Sequence, residues 1–207
     1  MGTDTPPSSD STLRPPTDRL PLVRLEGSHG EMGLQLGRHR AAQVNAMIEM
    51  YRRLFAEASV ELGIDNWQEA ILHAHKYLPF AEESTPQYVE EMRGIAEGAA
   101  VDFRDIYAFQ LQDEEWWFGQ EHKKQPAAAA SACSSLAWRG DAGHPSLVAQ
   151  NMDLPDYLHD YQVILRIQQD RSPHEILVFS VAGLIALNGM NSSPLAIVCN
   201  NLSQLNH

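Results

Sequence analysis

The spacing of apolar residues along the chain changes near residue 130. From 30 to 118, apolar residues recur every three or four positions, which predicts helices that bury one face. The clearest stripe consists of Val44, Met47, Ile48, Tyr51, Leu54 and Phe55. This regularity is typical of a helix that contributes to the core. A short apolar run from Leu20 to Leu25 precedes these helices and predicts a strand.

Two helix starts carry recognisable capping residues. Thr85 is expected to cap a helix in which Pro86 takes the first position, where its missing N–H needs no partner. Asp102 is expected to cap the next helix, which would run from Phe103 to the Trp116-Trp117 pair. The segment 20–132 is therefore predicted to be mostly helical.

A different pattern begins after a connector of small residues at 127–131. Short apolar or alternating runs, bounded by Gly, Pro, Asn and Asp, predict strands. The expected strands cover 133–138, 146–153, 161–168, 175–181 and 194–200. The sequence thus predicts an α+β fold, in which a disordered tail at 1–19 precedes the helical segment and a sheet meander occupies 133–207.

Composition excludes several classes of function. The 207 residues include 27 acidic and 15 basic side chains, a formal net charge of −12, without a basic cluster that could bind phosphates. No stretch reaches the roughly 18 apolar residues of a membrane span, and residues 1–20 lack the apolar core of a signal peptide. We expect a soluble, cytoplasmic protein with neither a nucleic-acid nor a membrane partner.

Cysteine chemistry centres on Cys133, at the start of the first strand of the β-rich segment. Cys133 and Cys199 are too few for a disulfide framework and lack the spacing of a metal site. If the first two strands pair as a hairpin about Ala142, Cys133 lies opposite residue 152 or 153, near the carboxylate of Asp153. A thiol with an ordinary pKa near ~8.5 needs such a neighbour, a base or a cation to react at neutral pH.

Two other patterns indicate binding sites less specifically. Glycines at 27, 30, 33 and 37 follow a strand and open a helix, but their spacing is not that of a nucleotide-binding loop. Asp153, Asp156, His159 and Asp160 could hold a metal, and a metal-dependent hydrolase is one reading of them. A solvated acidic turn explains the same residues, so we expect no metal site.

Three segments occur in an order that resembles a known family. They are Cys133-Ser134-Ser135, Gln150-Asn151-Met152-Asp153, and Gly189-Met190-Asn191 followed by Asn200-Asn201. Together they resemble the penicillin acyltransferase (acyl-CoA:6-aminopenicillanic acid acyltransferase-like) family of autoproteolytic cysteine N-terminal-nucleophile hydrolases, which is related to the choloylglycine hydrolases. The glycine-rich segment 27–33 looks like the opening of that family's propeptide. Gln150 stands where the bile-salt branch has arginine, which favours the acyltransferase branch.

The resemblance implies a role for each of these residues. The chain would cleave itself between Ala132 and Cys133, leaving Cys133 as an N-terminal nucleophile whose own α-amine is its base. Asp153 would orient the nucleophile, and Asn200 or Asn201 would stabilise the oxyanion. The implied substrate is a small N-acyl amide or acyl thioester, whose acyl group passes to water or to an amine. No resident cofactor is implied, and whether acyl-CoA serves as a substrate stays open.

The implied fold is an αββα sandwich, for which 133–207 is short. We therefore expect an incomplete sandwich that pairs with its own cleaved fragment or with a missing C-terminal half. The alternative is a non-catalytic, truncated remnant or an interaction subunit of that family.

Overall fold

A computed structural model describes residues 20–62, 67–112 and 133–200. The elements there are, in chain order, β1 (Leu22–Gly27), α1 (His29–His39), α2 (Ala41–Leu62), α3 (Trp67–Ala74), α4 (Leu78–Ser84), α5 (Pro86–Ala99), α6 (Phe103–Gln110), β2 (Cys133–Trp138), β3 (Leu147–Met152), a 3₁₀ helix (Asp156–Tyr161), β4 (Gln162–Gln169), β5 (Glu175–Val181), β6 (Asn188–Asn191) and β7 (Ala196–Ile197). The fold is mixed α+β, as predicted. The tail at 1–19 and the Trp116-Trp117 pair lie outside the described residues.

Side chains cap α6 and α1, whereas the side-chain cap expected for α5 is not formed. Asp102 accepts a hydrogen bond from the Arg104 N–H at 2.8 Å and caps α6, as predicted. Pro86 is the first residue of α5, also as predicted, but Thr85 makes no capping bond. Its hydroxyl instead donates to the Ala81 carbonyl at the end of α4. Ser28 caps α1 in a reciprocal capping box with Glu31, a cap that was not predicted from the sequence.

The apolar stripe of α2 lies in the core. Val44, Met47, Ile48, Tyr51 and Phe55 are buried, whereas Leu54 is only partly buried. They pack with residues of the other helices and with the inner face of the sheet in one hydrophobic cluster. The helical period therefore identified the buried face of this helix correctly.

The glycine-rich segment is explained by helix packing. A Cβ on Gly33 would lie 2.0 Å from the carbonyl oxygen of Glu91, and one on Gly94 would lie 2.3 Å from the carbonyl oxygen of Gly30. Gly37 and Gly98 are equally crowded by the facing helix. Helices α1 and α5 can therefore approach this closely only because both have glycine at the crossing.

The strands form two separate sheets. A five-stranded sheet has the order β1-β4-β5-β6-β7, and within the described ranges β2 pairs with β3 alone. Strand β1 lies parallel to β4, with Leu22 opposite Ile164, while the other pairs are antiparallel. The prediction of a single meander after residue 133 is therefore wrong in two respects. Its first hairpin, β2–β3, forms a separate sheet, and the five-stranded sheet includes β1 from the N-terminal segment. Helices cover the face of the large sheet that buries Leu25, Val163 and Leu165.

Strand β6 is not among the strands predicted from the sequence. A Cβ on Gly189 would lie 2.8 Å from the carbonyl oxygen of Leu177 on the neighbouring strand, so glycine is needed within this strand. The side chain of Asn191 accepts the N–H groups of Ser193 and Leu195 and closes the turn that follows. The strand predicted at 194–200 is reduced to β7, because this turn and an irregular segment occupy the rest.

A layer of helices, the five-stranded sheet and the detached hairpin make up the described part of the chain. The four-layer αββα arrangement stays a prediction. None of the helices in the described ranges is both long and apolar enough to cross a membrane.

Candidate functional site

The β2–β3 hairpin places Cys133 opposite Met152. This is one of the two partners predicted from alternation about Ala142. At the far end, Asp141 accepts hydrogen bonds from the Gly143 N–H at 3.0 Å and from His144 Nδ1 at 2.9 Å. The hydrogen bond with His144 has the larger effect and the one from the Gly143 N–H the smaller; both lower the pKa of Asp141 below its ordinary value. The turn is thus fixed locally, and the register of the hairpin follows from it.

The hairpin has two chemically different faces. Cys133, Ser135, Gln150 and Met152 share one face, because side chains alternate along each strand and directly paired residues point the same way. We call this set the Cys133 face. Asn151 lies on the opposite face, where its amide contacts the Ser134 hydroxyl at 3.4 Å.

Asn200 is bound to the Cys133 face. Its Nδ2 donates to Ser135 Oγ at 3.1 Å, and its Oδ1 accepts from Gln150 Nε2 at 3.1 Å. The preceding residue, Cys199, donates its backbone N–H to Asn188 Oδ1 of β6 at 3.1 Å. The structure therefore brings Asn200 to the same face as Cys133 and joins this face to the large sheet.

The orientation of the Gln150 amide is fixed by its neighbours. Its Nε2 donates to the backbone carbonyl of Cys199 as well as to Asn200 Oδ1. A carbonyl oxygen only accepts hydrogen bonds, so the nitrogen of the amide must point towards Cys199. Gln150 Oε1 then points elsewhere; it is buried and has no hydrogen-bond partner among the residues that the structure describes.

Asp153 is exposed and directly follows Met152, at the same end of the hairpin as Cys133. Within the described residues, no hydrogen bond joins its carboxylate to Cys133. Cys133 is partly buried and reduced, and Cys199 is exposed and reduced. Ala132 and Asn201 lie outside the described residues, so the predicted cleavage site is described only on its Cys133 side.

No group of three or more His, Cys, Asp or Glu side chains is placed to hold a metal in the part of the chain that the structure describes. Asp156 and His159, two of the candidate ligands, are exposed residues of the 3₁₀ helix.

A second polar cluster lies at the start of α1 and was not predicted. His29 Nδ1 is 2.5 Å from Oε2 of the buried Glu91, and His29 Nε2 is 2.9 Å from the Gln169 side-chain amide. Burial raises the pKa of Glu91 above its ordinary value, and the hydrogen bond with His29 offsets only part of that rise. These residues come from α1, α5 and β4, so no local pattern in the sequence could have revealed the cluster.

Comparison with known proteins gives one informative similarity. No protein-family model matches the chain. The β-alanyl-dopamine/carcinine hydrolase of Drosophila melanogaster is 23% identical over 128 residues. The matched segment covers 62% of this chain but only 32% of that protein. The relative is by name a hydrolase, which is compatible with the family resemblance seen in the sequence.

Proposed function

We propose that this chain carries the nucleophile of an autoproteolytic cysteine amidohydrolase, with Cys133 as the reacting residue. The observation that carries the proposal is the Cys133 face, on which a strand-starting cysteine shares one surface with the side-chain amides of Gln150 and Asn200. The similarity to a β-alanyl-dopamine/carcinine hydrolase supports the same reaction class, since β-alanine and dopamine are joined by an amide bond.

Self-cleavage begins at the peptide bond before Cys133. Cys133 Sγ attacks the carbonyl carbon of Ala132, the C–N bond breaks, and the thiol proton passes to the departing nitrogen. The products of this step are a thioester and a free α-amine on Cys133. Water then hydrolyses the thioester, which gives a carboxylate on Ala132 and restores the thiol. The new α-amine, with an ordinary pKa of about 7.7–8.0, can act as a base near neutral pH.

Turnover repeats this chemistry on a substrate amide. The Cys133 α-amine takes the thiol proton, the thiolate attacks the carbonyl carbon, and the resulting ammonium protonates the leaving amine. Water hydrolyses the acyl thioester, or an acceptor amine takes its place and the acyl group is transferred. Asn200 Nδ2 carries two hydrogens and donates one of them to Ser135, so its second hydrogen is the donor proposed for the oxyanion. Asp153 is proposed to orient the Cys133 α-amine.

Intact-mass measurement on freshly purified protein tests the proposal without a substrate. Two fragments that meet between Ala132 and Cys133 are expected from the wild type and from Cys199→Ala, which removes the exposed cysteine outside the hairpin. Cys133→Ala should give one uncut mass. A Cys133→Ala protein that is cut at the same bond, or that retains full amidase activity, would overturn the proposal.

The class of substrate is tested with β-alanyl amides of aromatic amines, chosen from the name of the relative. The expected result is release of free β-alanine by the cut wild type, with an acyl-Cys133 adduct in its mass spectrum. The activity should persist in a chelator, and loss of activity there would favour the metal-dependent reading of Asp153, Asp156 and His159.

The alternative is an interaction subunit that does not itself catalyse. It is favoured by the face of the hairpin opposite Cys133, where Leu136, Trp138 and Leu147 are 58%, 44% and 53% exposed. A folded chain that stays uncut, and whose Cys133 is not acylated by any probe, would support this alternative.

A further inference from the structure

Gln150 contains the one polar atom of the Cys133 face that is buried and lacks a hydrogen-bond partner within the described residues. A buried acceptor without a donor costs free energy, and most buried polar atoms in folded proteins are paired. The Nε2 atom of the same amide donates two hydrogen bonds, one to the backbone carbonyl of Cys199 and one to Asn200 Oδ1. The bonds to Nε2 hold Oε1 in a fixed direction, so that a donor arriving there would meet an acceptor already in place.

The position of Gln150 relates this acceptor to the reacting cysteine. Gln150 lies directly opposite Ser135, and Cys133 is two residues before Ser135 on the same face. Diagonal neighbours of this kind are roughly 7–8 Å apart at their Cα atoms, within reach of a long side chain. A carbonyl carbon attacked by Cys133 Sγ would therefore have its attached nitrogen or oxygen close to Gln150.

We propose that Gln150 is the residue that selects amides: its Oε1 accepts the N–H of the scissile amide while its Nε2 holds Asn200 in position. This inference rests on the proposed function. The bond to Gln150 moves no proton, because the amide keeps its N–H through the attack and the leaving amine takes its second hydrogen from the Cys133 ammonium. An ester or thioester brings lone pairs instead of a donor and leaves the acceptor unpaired.

Gln150 as a residue is only partly buried, so its amide lies close to the surface. Admission of a substrate N–H to Oε1 therefore requires a local rearrangement at that surface, which is part of the proposal.

The test measures acylation of Cys133 by intact mass with three probes. They are β-alanyl-p-nitroanilide, its N-methyl derivative, which lacks the N–H, and the p-nitrophenyl ester of β-alanine. Each rate is divided by the rate of hydroxide-catalysed hydrolysis of the same probe, which corrects for differences in intrinsic reactivity among the three probes. The wild type should prefer the secondary amide over the other two by about 10- to 100-fold on this scale.

Gln150→Met keeps the length of the side chain and removes both its acceptor and its donor. The preference should fall to near unity in this variant, whatever the change in absolute rate. Ser135→Ala is the matched control, because it removes the other bond to Asn200 and leaves Gln150 intact. It should lower all three rates alike and keep the preference.

The outcomes separate the two proposals. A preference unchanged in Gln150→Met, or a wild type that shows no normalised preference for the secondary amide, overturns the role of Gln150 and leaves the proposed function standing. The wild-type comparison alone decides the matter if Gln150→Met does not fold. A wild type inert to all three probes, or acylation that persists at the same rate in Cys133→Ala, overturns the proposed function and this inference with it.

Discussion

Asn200 donates a hydrogen bond to Ser135 Oγ at 3.1 Å, although 64 residues separate them in the sequence. Ser135 lies two residues after Cys133 in β2 and on the same face. This bond therefore connects the last described residue of the chain to the strand that carries the proposed nucleophile. It also leaves one Asn200 hydrogen for another acceptor.

Replacing Asn200 by alanine should slow acylation of Cys133 by about 10²–10³-fold, the usual effect of removing one oxyanion donor. The measurement is the rate of acyl-Cys133 formation from a β-alanyl anilide, followed by intact mass. Asn151→Ala is the control, since Asn151 bonds Ser134 on the opposite face of the hairpin. Equal slowing by the two substitutions would exclude a specific role for Asn200.

The sequence predicted this hairpin well because hairpin register depends on local features. Alternation with a period of two places Cys133 opposite residue 152 or 153 once the turn is located, and the structure has Met152 there. The stripe of α2 was equally predictable, since a buried helix face repeats every three or four residues. In both cases the information lies within a short stretch of chain.

Contacts between distant segments were not predictable from these patterns. The parallel pairing of β1 with β4 joins residues about 140 positions apart, as in Leu22 and Ile164, and neither strand encodes its partner. The same holds for the bond from Gln150 to Asn200. Strand β6 was not predicted for another reason: it contains Gly189, a residue type that is depleted in strands, but here glycine lies in a strand because a neighbouring carbonyl leaves no room for a Cβ.

Gly33→Ala should destabilise the fold by about 3 kcal/mol, because its Cβ would lie 2.0 Å from the Glu91 carbonyl oxygen and the two helices would have to separate. Gly30, in the same helix, provides the control, since its Cβ would lie 3.9 Å from the nearest atom of the facing helix, the Glu90 carbonyl oxygen. Gly30→Ala should be neutral or stabilising by up to about 1 kcal/mol. Urea unfolding of both variants measures the difference, and similar values would contradict this account of the glycines.

Trp67→Phe should cost about 2–4 kcal/mol of unfolding free energy. Its Nε1 donates at 2.6 Å to Oδ1 of the buried Asp105, whose other oxygen accepts from Arg52 at 2.8 Å. Phenylalanine leaves that carboxylate oxygen without its donor and also leaves a small cavity. Trp138→Phe makes the same exchange at a residue that is 44% exposed and should cost less than about 0.5 kcal/mol. Thermal and urea unfolding measure both variants, and equal losses of unfolding free energy in Trp67→Phe and Trp138→Phe would refute this prediction.

Glu91→Gln should change how stability depends on pH. Burial raises the pKa of Glu91 above its ordinary value of 4.5, so the folded state favours the protonated form. The contribution of Glu91 to stability is therefore full below about pH 4.5 and is lost as the pH rises through the raised pKa, by about 1.4 kcal/mol for each unit of the rise. Glutamine stays neutral and can still accept from His29 Nδ1.

The free energy of unfolding, measured in urea from pH 4 to pH 7, should therefore fall less for Glu91→Gln than for the wild type. The difference between the two proteins isolates Glu91, because every other acid titrates in both. Glu90→Gln is the control: Glu90 is exposed, so its substitution should leave the pH dependence of stability unchanged. A wild type that becomes more stable than Glu91→Gln as the pH rises would show that the hydrogen bond with His29, and not burial, dominates the ionisation of Glu91.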